Sequence, residues 1–217
     1  MIRQDCLLLF SEDDIAMNVG IGICDNVCIG DCSASALNDS DALRENAGGT
    51  ENNEKNLTTV CYLEQNGKYL MLHRTKKKND TNRDKLIGIG GHFHHEESPE
   101  ECMLREMKEE CGIVLTDMRM RGLVTFVSDV FGCEYMFLFS ATKYEGNVAT
   151  DCNEGNLEWI EKNSLLKSEK IWAGDRIFLK LLEKRDSFFS LKLIYKGEKL
   201  EEVQLDGVRQ NQEFISS

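Results

Sequence analysis

Apolar and polar positions alternate in blocks from residue 57 onward, and these blocks predict strands separated by turns and helices. Two apolar runs, Leu57–Leu63 and Lys68–Arg74, flank Asn66-Gly67, a pair typical of the tight turn of a β-hairpin. The later blocks predict two long strands, a short strand, a helix and a closing hairpin: Arg119–Ser128, Glu134–Thr142, Leu157–Ile160, Asp175–Lys184, Phe188–Tyr195 and Lys199–Leu205. Helices and strands mixed in this order predict an α/β fold.

A further helix is predicted from Pro99 to Cys111. Ser98 is an N-cap residue, Pro99 suits the first helical position, and Glu101 completes a capping box. Gly112 suits the left-handed residue that ends a helix.

Three glutamates of this helix fall on one stripe. At about 100° per residue, Glu106 and Glu110 lie roughly 40° apart, and Glu109 lies roughly 60° to their other side. Carboxylates brought together repel unless a cation neutralises them, and an all-oxygen site suits Mg²⁺, with Mn²⁺ as a substitute. The alternative interpretation is a solvated acidic face. Arg105 stands next to the cluster and can orient a carboxylate through a charge-assisted hydrogen bond.

The glutamates belong to a longer spaced string of residues. The string is G-x5-E-x7-R-E-M-x-E-E-x-G-I, formed by Gly91, Glu97, Arg105, Glu106, Met107, Glu109, Glu110, Gly112 and Ile113. In this string the chain resembles the Nudix hydrolases, which split nucleoside diphosphates linked to a further group. The resemblance implies an enzyme with an α/β/α sandwich, in which a mixed β-sheet lies between helices.

Three more stretches resemble the MutT-type branch of that family, which hydrolyses oxidised purine nucleoside triphosphates. They are Leu86–Phe93, Cys152–Trp159 and Ile171–Asp175. The resemblance implies a metal site made by Glu106, Glu109, Glu110, Glu154 and the Gly91 carbonyl.

The same resemblance implies that Trp172 and Asp175 contact the base, with Gly90, Gly91 and Ile87 also in the substrate site. An indole can stack on a purine, and a carboxyl group can meet its polar edge. The structural alternatives are a core tryptophan and an N-cap aspartate. Leu86-Ile87 and Gly174 depart from the pattern of the mammalian enzyme, so discrimination for the oxidised base is less firmly implied than catalysis.

The activity implied is Mg²⁺-dependent hydrolysis of 8-oxo-dGTP or a similar nucleotide to the monophosphate and pyrophosphate, which would remove damaged nucleotides before DNA synthesis. Arg105 is expected to serve the catalytic site, and either Glu109 or Glu154 to accept the proton of the attacking water. Two alternatives stay open: a Nudix activity on ADP-ribose, a dinucleoside polyphosphate or a capped RNA end, and a non-catalytic nucleotide-binding module.

The amino-acid composition limits the classes of partner that this protein can bind. The 217-residue chain has a formal net charge of −12, which argues against a protein that binds duplex nucleic acid. Lys76–Lys78 is its densest basic run, and we expect a solvated loop there. No apolar stretch has the length of a membrane span, and we expect a cytoplasmic protein whose nine cysteines are reduced thiols. The oligomeric state is not indicated by the sequence.

The N-terminal part differs in composition from the rest. Residues 33–56 are rich in Ser, Asn, Asp, Glu and Gly, so we expect residues 1–56 to be a flexible or accessory extension and 57–217 to be the Nudix domain. Cys24, Cys28 and Cys32 recur every four residues. They are a minor candidate for a metal or cluster site, because no fourth ligand is evident.

Overall fold

The computed structural model describes residues 56–77 and 80–216. The expectations for residues 1–55, including Cys24, Cys28 and Cys32, lie outside this part of the chain. The strands are β1 (Leu57–Gln65), β2 (Lys68–Arg74), β3 (Leu86–Ile87), β4 (Val114–Leu115), β5 (Arg119–Ser128), β6 (Gly132–Ala141), β7 (Tyr144–Glu145), β8 (Gly155–Glu161), β9 (Phe189–Lys196), β10 (Lys199–Leu205) and β11 (Val208–Arg209). The helices are α1 (Pro99–Glu106), followed by a π-helical turn (Met107–Cys111), α2 (Lys162–Lys167), α3 (Ala173–Lys184) and α4 (Gln212–Ser216).

The main sheet is mixed. Its strands follow the order β11-β10-β9-β5-β6-β1-β2-β3, with β8 paired to β2. β1 runs parallel to β6, β5 runs parallel to β9, and the hairpin partners are antiparallel. Asn66 and Gly67 both have positive φ, 52° and 76°, which is the backbone that joins two strands through a tight turn. The predicted first hairpin is therefore confirmed.

The sheet opens between β1 and β2. The two strands pair only next to their turn, at Glu64–Gln65 with Lys68–Tyr69, and beyond that point β2 pairs with β8. The segment after β3 lies along β1 instead, where Cys61 N donates to Ile89 O at 2.7 Å and Thr59 N donates to Gly91 O at 2.9 Å. The opening thus brings a glycine-rich segment to the edge of β1.

Each face of the sheet carries its own apolar core. On β1, Val60 and Tyr62 belong to a buried cluster with side chains of α3. Cys61 and Leu63 belong to a second cluster, which includes Met103 of α1. Because successive residues of a strand point to opposite faces, one alternating run supports a helix layer on each side. The expected α/β/α arrangement is confirmed.

The predicted helix from Pro99 to Cys111 is only partly a regular α-helix. Its start is as expected: Glu101 N donates to Ser98 Oγ at 3.2 Å, and Ser98 N donates to Glu101 Oε2 at 2.8 Å. After Glu106 the backbone widens into the π turn, which ends at Gly112 with φ 74°. Such a turn inserts extra backbone into the helix and is frequent at functional sites, so the α-helical angles do not apply to Glu109 and Glu110. In the part of the chain that the structure describes, no helix is long and apolar enough to cross a membrane.

Candidate active site

The glycine-rich segment lets Glu106 and the backbone of β1 approach it closely. A Cβ on Gly91 would lie 2.4 Å from Glu106 Oε1, and a Cβ on Gly90 would lie 1.9 Å from the Thr59 carbonyl oxygen. At Gly90 the clash would be with the backbone of β1, so only glycine fits there. At Gly91 a side chain would instead displace the Glu106 carboxylate from its place beside the loop.

Arg105 donates hydrogen bonds to three carboxylates around the helix. Its Nε and Nη2 donate to the two oxygens of Glu97, at 2.7 and 3.0 Å, and its Nη1 donates to Glu106 Oε1 at 2.7 Å and to Glu109 Oε2 at 3.2 Å. The bidentate pairing holds the pKa of Glu97 down to about 2. Glu97 acts here as an anchor for Arg105, and Arg105 in turn fixes Glu106. Glu109 remains more than half exposed.

Glu110 is the most enclosed carboxylate of the helix. Its Oε2 is buried and has no hydrogen-bond partner among the described residues. Burial, followed by the charges of the nearby Glu154 and Glu106, raises the pKa of Glu110 to about 8, and Arg74 and the Gly90 N–H oppose the shift. An enclosed, unpartnered carboxylate beside two others is costly unless a proton or a cation accompanies it.

Glu154 reaches the site from the loop before β8. In this structure it accepts from Arg74 Nη1 and Lys77 Nζ. Arg74 is itself well buried and also donates to Asp80 Oδ2. Glu154 is thus held next to Glu110 by two cations.

Lys76 and Lys77 are exposed, as expected for a solvated loop, but both also form ion pairs with the acidic loop before β8. Lys76 Nζ donates to Asp151 Oδ2 at 2.5 Å and to the Cys152 carbonyl oxygen at 2.6 Å, while Lys77 binds Glu154. These lysines meet the acidic loop because the pairing of β2 with β8 brings the two loops side by side. Lys78 lies outside the described residues.

The carboxylate and carbonyl oxygens of this site are the type of ligand that hard divalent cations prefer. All candidate ligands are oxygens, and the unpartnered Glu110 Oε2 points to a missing positive charge. Glu106 and Glu154, however, are engaged by Arg105, Arg74 and Lys77. Within residues 56–77 and 80–216, no three His, Cys, Asp or Glu side chains are already arranged to hold a metal ion. A metal ion can therefore bind at these carboxylates only if Glu106 is released from Arg105 and Glu154 is released from Arg74 and Lys77.

Trp172 and Asp175 lie together at the start of α3. The helix begins at Ala173, two residues earlier than predicted, so Trp172 is the N-cap residue and Asp175 is in the first turn. The half-buried indole donates from Nε1 to Asn82 Oδ1 at 2.8 Å and packs edge-on against Tyr195. Burial raises the pKa of Asp175 to about 7, against the opposing charges of Arg176 and Lys85.

The glycine segment connects this pair to the carboxylates. The Gly88 N–H donates to the hydroxyl of Tyr62, and the charge of Asp175 acts on the same phenol. Two residues further on, the Gly90 N–H donates to Glu110. Two residues of extended chain span about 7 Å, so the two groups border one short stretch of backbone.

Ile87, the remaining predicted substrate contact, belongs to a different apolar core from Trp172. Its side chain packs with the α1 core, whereas Leu86 packs with the α3 core near Trp172. Of the two, Leu86 therefore shares the face of Trp172.

Sequence reasoning did not assign Arg74, Lys85 or Asn82 to the site. The structure places Lys85 and Asn82 against Trp172 and Arg74 against Glu154. Their position between a strand end and a glycine-rich loop was the only available signal, and it does not specify a partner.

Comparison with known proteins finds a family match over more than half of this chain. The NUDIX domain pattern matches residues 55–182. The uncharacterized Nudix hydrolase YvcI of Bacillus subtilis (strain 168) is 30% identical over 111 residues, which are 49% of this chain and 66% of that protein. The alignment thus spans just under two thirds of this relative.

Solved structures show the same fold. The crystal structure of the mutator MutT protein of Bacillus halodurans matches with a TM-score of 0.62 and 26% identity, over 69% of this chain and 97% of that one. The MutT protein of Methanosarcina mazei Go1 matches with a TM-score of 0.51 and 23% identity, over 59% of this chain and 92% of that one.

Proposed function

Because this chain belongs to the Nudix family, we propose that it is a MutT-type hydrolase of oxidised purine nucleoside triphosphates such as 8-oxo-dGTP. The products would be the nucleoside monophosphate and pyrophosphate, and the role would be clearance of damaged nucleotides before they enter DNA. The similarity to the Bacillus halodurans MutT protein supports the proposed assignment to the MutT-type branch. The observation that carries the proposal is that Glu110 meets the Gly90 N–H, while Tyr62, on which the charge of Asp175 acts, meets the Gly88 N–H of the same glycine segment.

The carboxylates supply the metal-binding part of the proposal. Nudix hydrolases generally use divalent cations, and we propose Mg²⁺, with Mn²⁺ as a substitute. The ion would be held by Glu106, Glu109, Glu110 and Glu154 with the Gly91 carbonyl. When bound, it would neutralise charge on the phosphates and the leaving group.

The chain's own residues supply positioning and proton transfer. Arg105 holds Glu106 against Gly91, where that carboxylate is enclosed by backbone. Glu109 and Glu154 are the two candidate general bases. Glu109 is 58% exposed, so water reaches it freely, whereas Glu154 is 21% exposed and paired with Arg74 and Lys77. When Glu154 leaves these cations, Lys77 and the Nη1 atom of Arg74 become available to bind the phosphates, while Arg74 Nε stays bound to Asp80.

The Trp172 region supplies base recognition. The indole offers a flat surface for stacking, and Asp175 lies one turn away with a pKa near neutrality. Such a carboxyl group accepts a hydrogen bond when ionised and donates one when protonated. Lys85 adds a donor that suits the carbonyl oxygens of guanine and 8-oxoguanine.

A nucleotide panel tests the proposal. Purified protein with Mg²⁺ would be given 8-oxo-dGTP, dGTP, dATP, ADP-ribose, a dinucleoside polyphosphate and capped RNA, with separate detection of pyrophosphate and phosphate. We expect the highest kcat/KM for 8-oxo-dGTP, with pyrophosphate released. A higher value for ADP-ribose, a dinucleoside polyphosphate or capped RNA would assign another Nudix substrate, and binding without turnover of any nucleotide would indicate a binding module.

A further inference from the structure

A buried arginine lies on the sheet away from the glutamates. The pairing of β5 with β6 shifts register between Met120 and Gly122, which places a β-bulge at Arg121. Bulges redirect a side chain and are frequent next to binding sites. The redirected Arg121 is only 7% exposed.

The guanidinium of Arg121 is incompletely partnered. Nη1 donates to Ser140 Oγ at 3.1 Å, and Nη2 donates to the carbonyl oxygens of Leu182 and Arg185 at the end of α3. A guanidinium has five N–H donors, so these bonds leave two unaccounted for. One of them is on Nε, which is buried without a partner among the described residues.

The positive charge of Arg121 also lacks a close counter-ion. Its ion pair in the described part of the chain is with Asp186 Oδ1 at 3.8 Å, and the Asp186 side chain is 96% exposed. Solvent screens such a pair strongly, and the carbonyl groups at a helix end carry only partial charge. A buried cation with so little compensation favours an anion from outside.

An open cleft borders this arginine. Its volume is about 410 Å³, which is within the range of small-molecule sites. Tyr62, Tyr69 and Leu182 provide apolar walls, and Ser140 and Thr142 provide hydroxyl groups.

Three charged side chains also line the cleft. Lys162 is paired with Glu64, Nζ to Oε2 at 2.5 Å, and lies over the Tyr69 ring at 4.8 Å. Glu183 is exposed. Lys162 and Glu64 neutralise each other, and solvent screens the exposed Glu183, so Arg121 is the buried charge of the cleft.

We infer that this cleft is a second binding site, for a small organic anion with a carboxylate or phosphate head and an apolar body. The head neutralises Arg121, and the body packs on Tyr62, Tyr69 and Leu182. The cleft shares Tyr62 with the glycine segment, because the Tyr62 hydroxyl accepts from the Gly88 N–H. Its anion-binding groups, however, are Arg121, Ser140 and Thr142, none of which is a candidate metal ligand or base contact. The inference therefore does not depend on the proposed hydrolase activity.

Benzoate, phenyl phosphate and the neutral analogue benzamide test the inference. Each would be titrated into the full-length protein without added metal, and backbone amide shifts would be followed by NMR. We expect saturable shifts at Ser140 and Thr142 with one or both anions, and at least tenfold weaker binding of benzamide. Whichever anion binds more tightly identifies the head group.

Two kinds of variant locate the binding. Arg121→Met should abolish the shifts, provided that circular dichroism shows a folded protein. Because Arg121 also caps α3, this variant is paired with Glu183→Lys, which reverses an exposed charge at the cleft. Glu183→Lys should tighten anion binding about two- to fivefold, as expected for a partly screened charge. Glu198→Lys, on the exposed turn between β9 and β10, makes the same change of net charge elsewhere and should leave binding unchanged.

Absence of saturable shifts at Ser140 and Thr142 would overturn the inference. So would equal affinity for benzamide, or the same effect from Glu183→Lys and Glu198→Lys.

Discussion

The ammonium group of Lys85 lies over the indole of Trp172, with Nζ 4.5 Å from the ring centroid. A cation at this distance is attracted to the ring, and the charge of Lys85 also acts on Asp175. Lys85 thus covers this face of the indole, so a purine that stacks there would have to displace the ammonium group sideways, to where it can donate to the edge of the base. This relationship links the proposed stacking surface to a donor for a base carbonyl.

Lys85→Met should raise KM for 8-oxo-dGTP about ten- to a hundredfold while kcat changes little. Methionine keeps much of the length and apolar stem of lysine but removes the charged donor, and a hydrogen bond to a charged group is worth about 1.5–3 kcal/mol. Steady-state kinetics with 8-oxo-dGTP and dATP would measure the effect, with the exposed Lys184→Met as the control. A lower KM in Lys85→Met would mean that the lysine blocks the stacking surface.

Trp172→Ala should raise KM for purine substrates about five- to a hundredfold. Base stacking on an aromatic side chain is worth roughly 1–3 kcal/mol, and the N-cap backbone of α3 is preserved. Trp159→Phe is the matched control, because Trp159 packs with the α1 core. An unchanged KM in Trp172→Ala would place the base elsewhere. Equal KM values for oxidised and normal dGTP in the unmutated protein would indicate a broader nucleotide-clearing role.

Asp175→Asn should stabilise the protein at pH 8 and have little effect at pH 4.5. The pKa of Asp175 is raised to about 7 in the folded state, above the value of about 3.9 for an unfolded aspartate. The folded state therefore binds the proton more tightly, and stability is lost as the pH rises from about 4 to about 7. Asparagine stays neutral and avoids a loss on the order of a few kcal/mol. Urea unfolding at both pH values measures the difference.

The exposed Asp186 provides the control for that experiment, and Asp186→Asn should show no comparable gain at pH 8. If Asp175→Asn and the unmutated protein had the same pH dependence, the carboxyl group of Asp175 would be ionised without penalty.

Glu109→Gln should lower turnover by several orders of magnitude without unfolding the protein. The substitution removes a charge but almost no volume, and Glu109 is more than half exposed. Glu100→Gln, in the first turn of the same helix, should retain full activity. Mg²⁺-dependent rates and thermal unfolding of both variants make the comparison. Near-normal turnover in Glu109→Gln would remove this residue from the proposed site.

A protein starting at Asn56 should fold and keep most of its activity. β1 begins at Leu57, and all residues of the candidate site follow it. Solubility, circular dichroism and turnover relative to the full chain test this expectation. Loss of any of them would show that residues 1–55 contribute to the core or the site.

Local sequence rules predicted the elements that depend on near neighbours. Ser98, Pro99 and Glu101 specify the start of α1 through contacts within one turn, and Asn66-Gly67 specifies the first hairpin through backbone angles. The observed β2 and β5 have the predicted bounds, because their apolar runs end at polar or turn residues.

The residues that surround the carboxylates could not be predicted in the same way. Arg74 and Glu154 are 80 residues apart in sequence and meet only because β2 pairs with β8. Lys85 reaches Trp172 only because the loop before β3 packs on the start of α3. The spacing of residues along the chain gives no information about either contact.

The sequence by itself thus determined the glutamates of the motif, the glycines beside them and the order of the long strands and helices, since these follow from local periodicity and motif spacing. The short elements β3, β4, β7, β11, α2 and α4 were not predicted. Only the tertiary structure decided that the helix widens at Met107–Cys111, that Glu110 is enclosed and that Arg121 is buried beside a cleft. These features arise from strand register and packing between distant segments, where the environment of a charged group is set by neighbours far away in the chain.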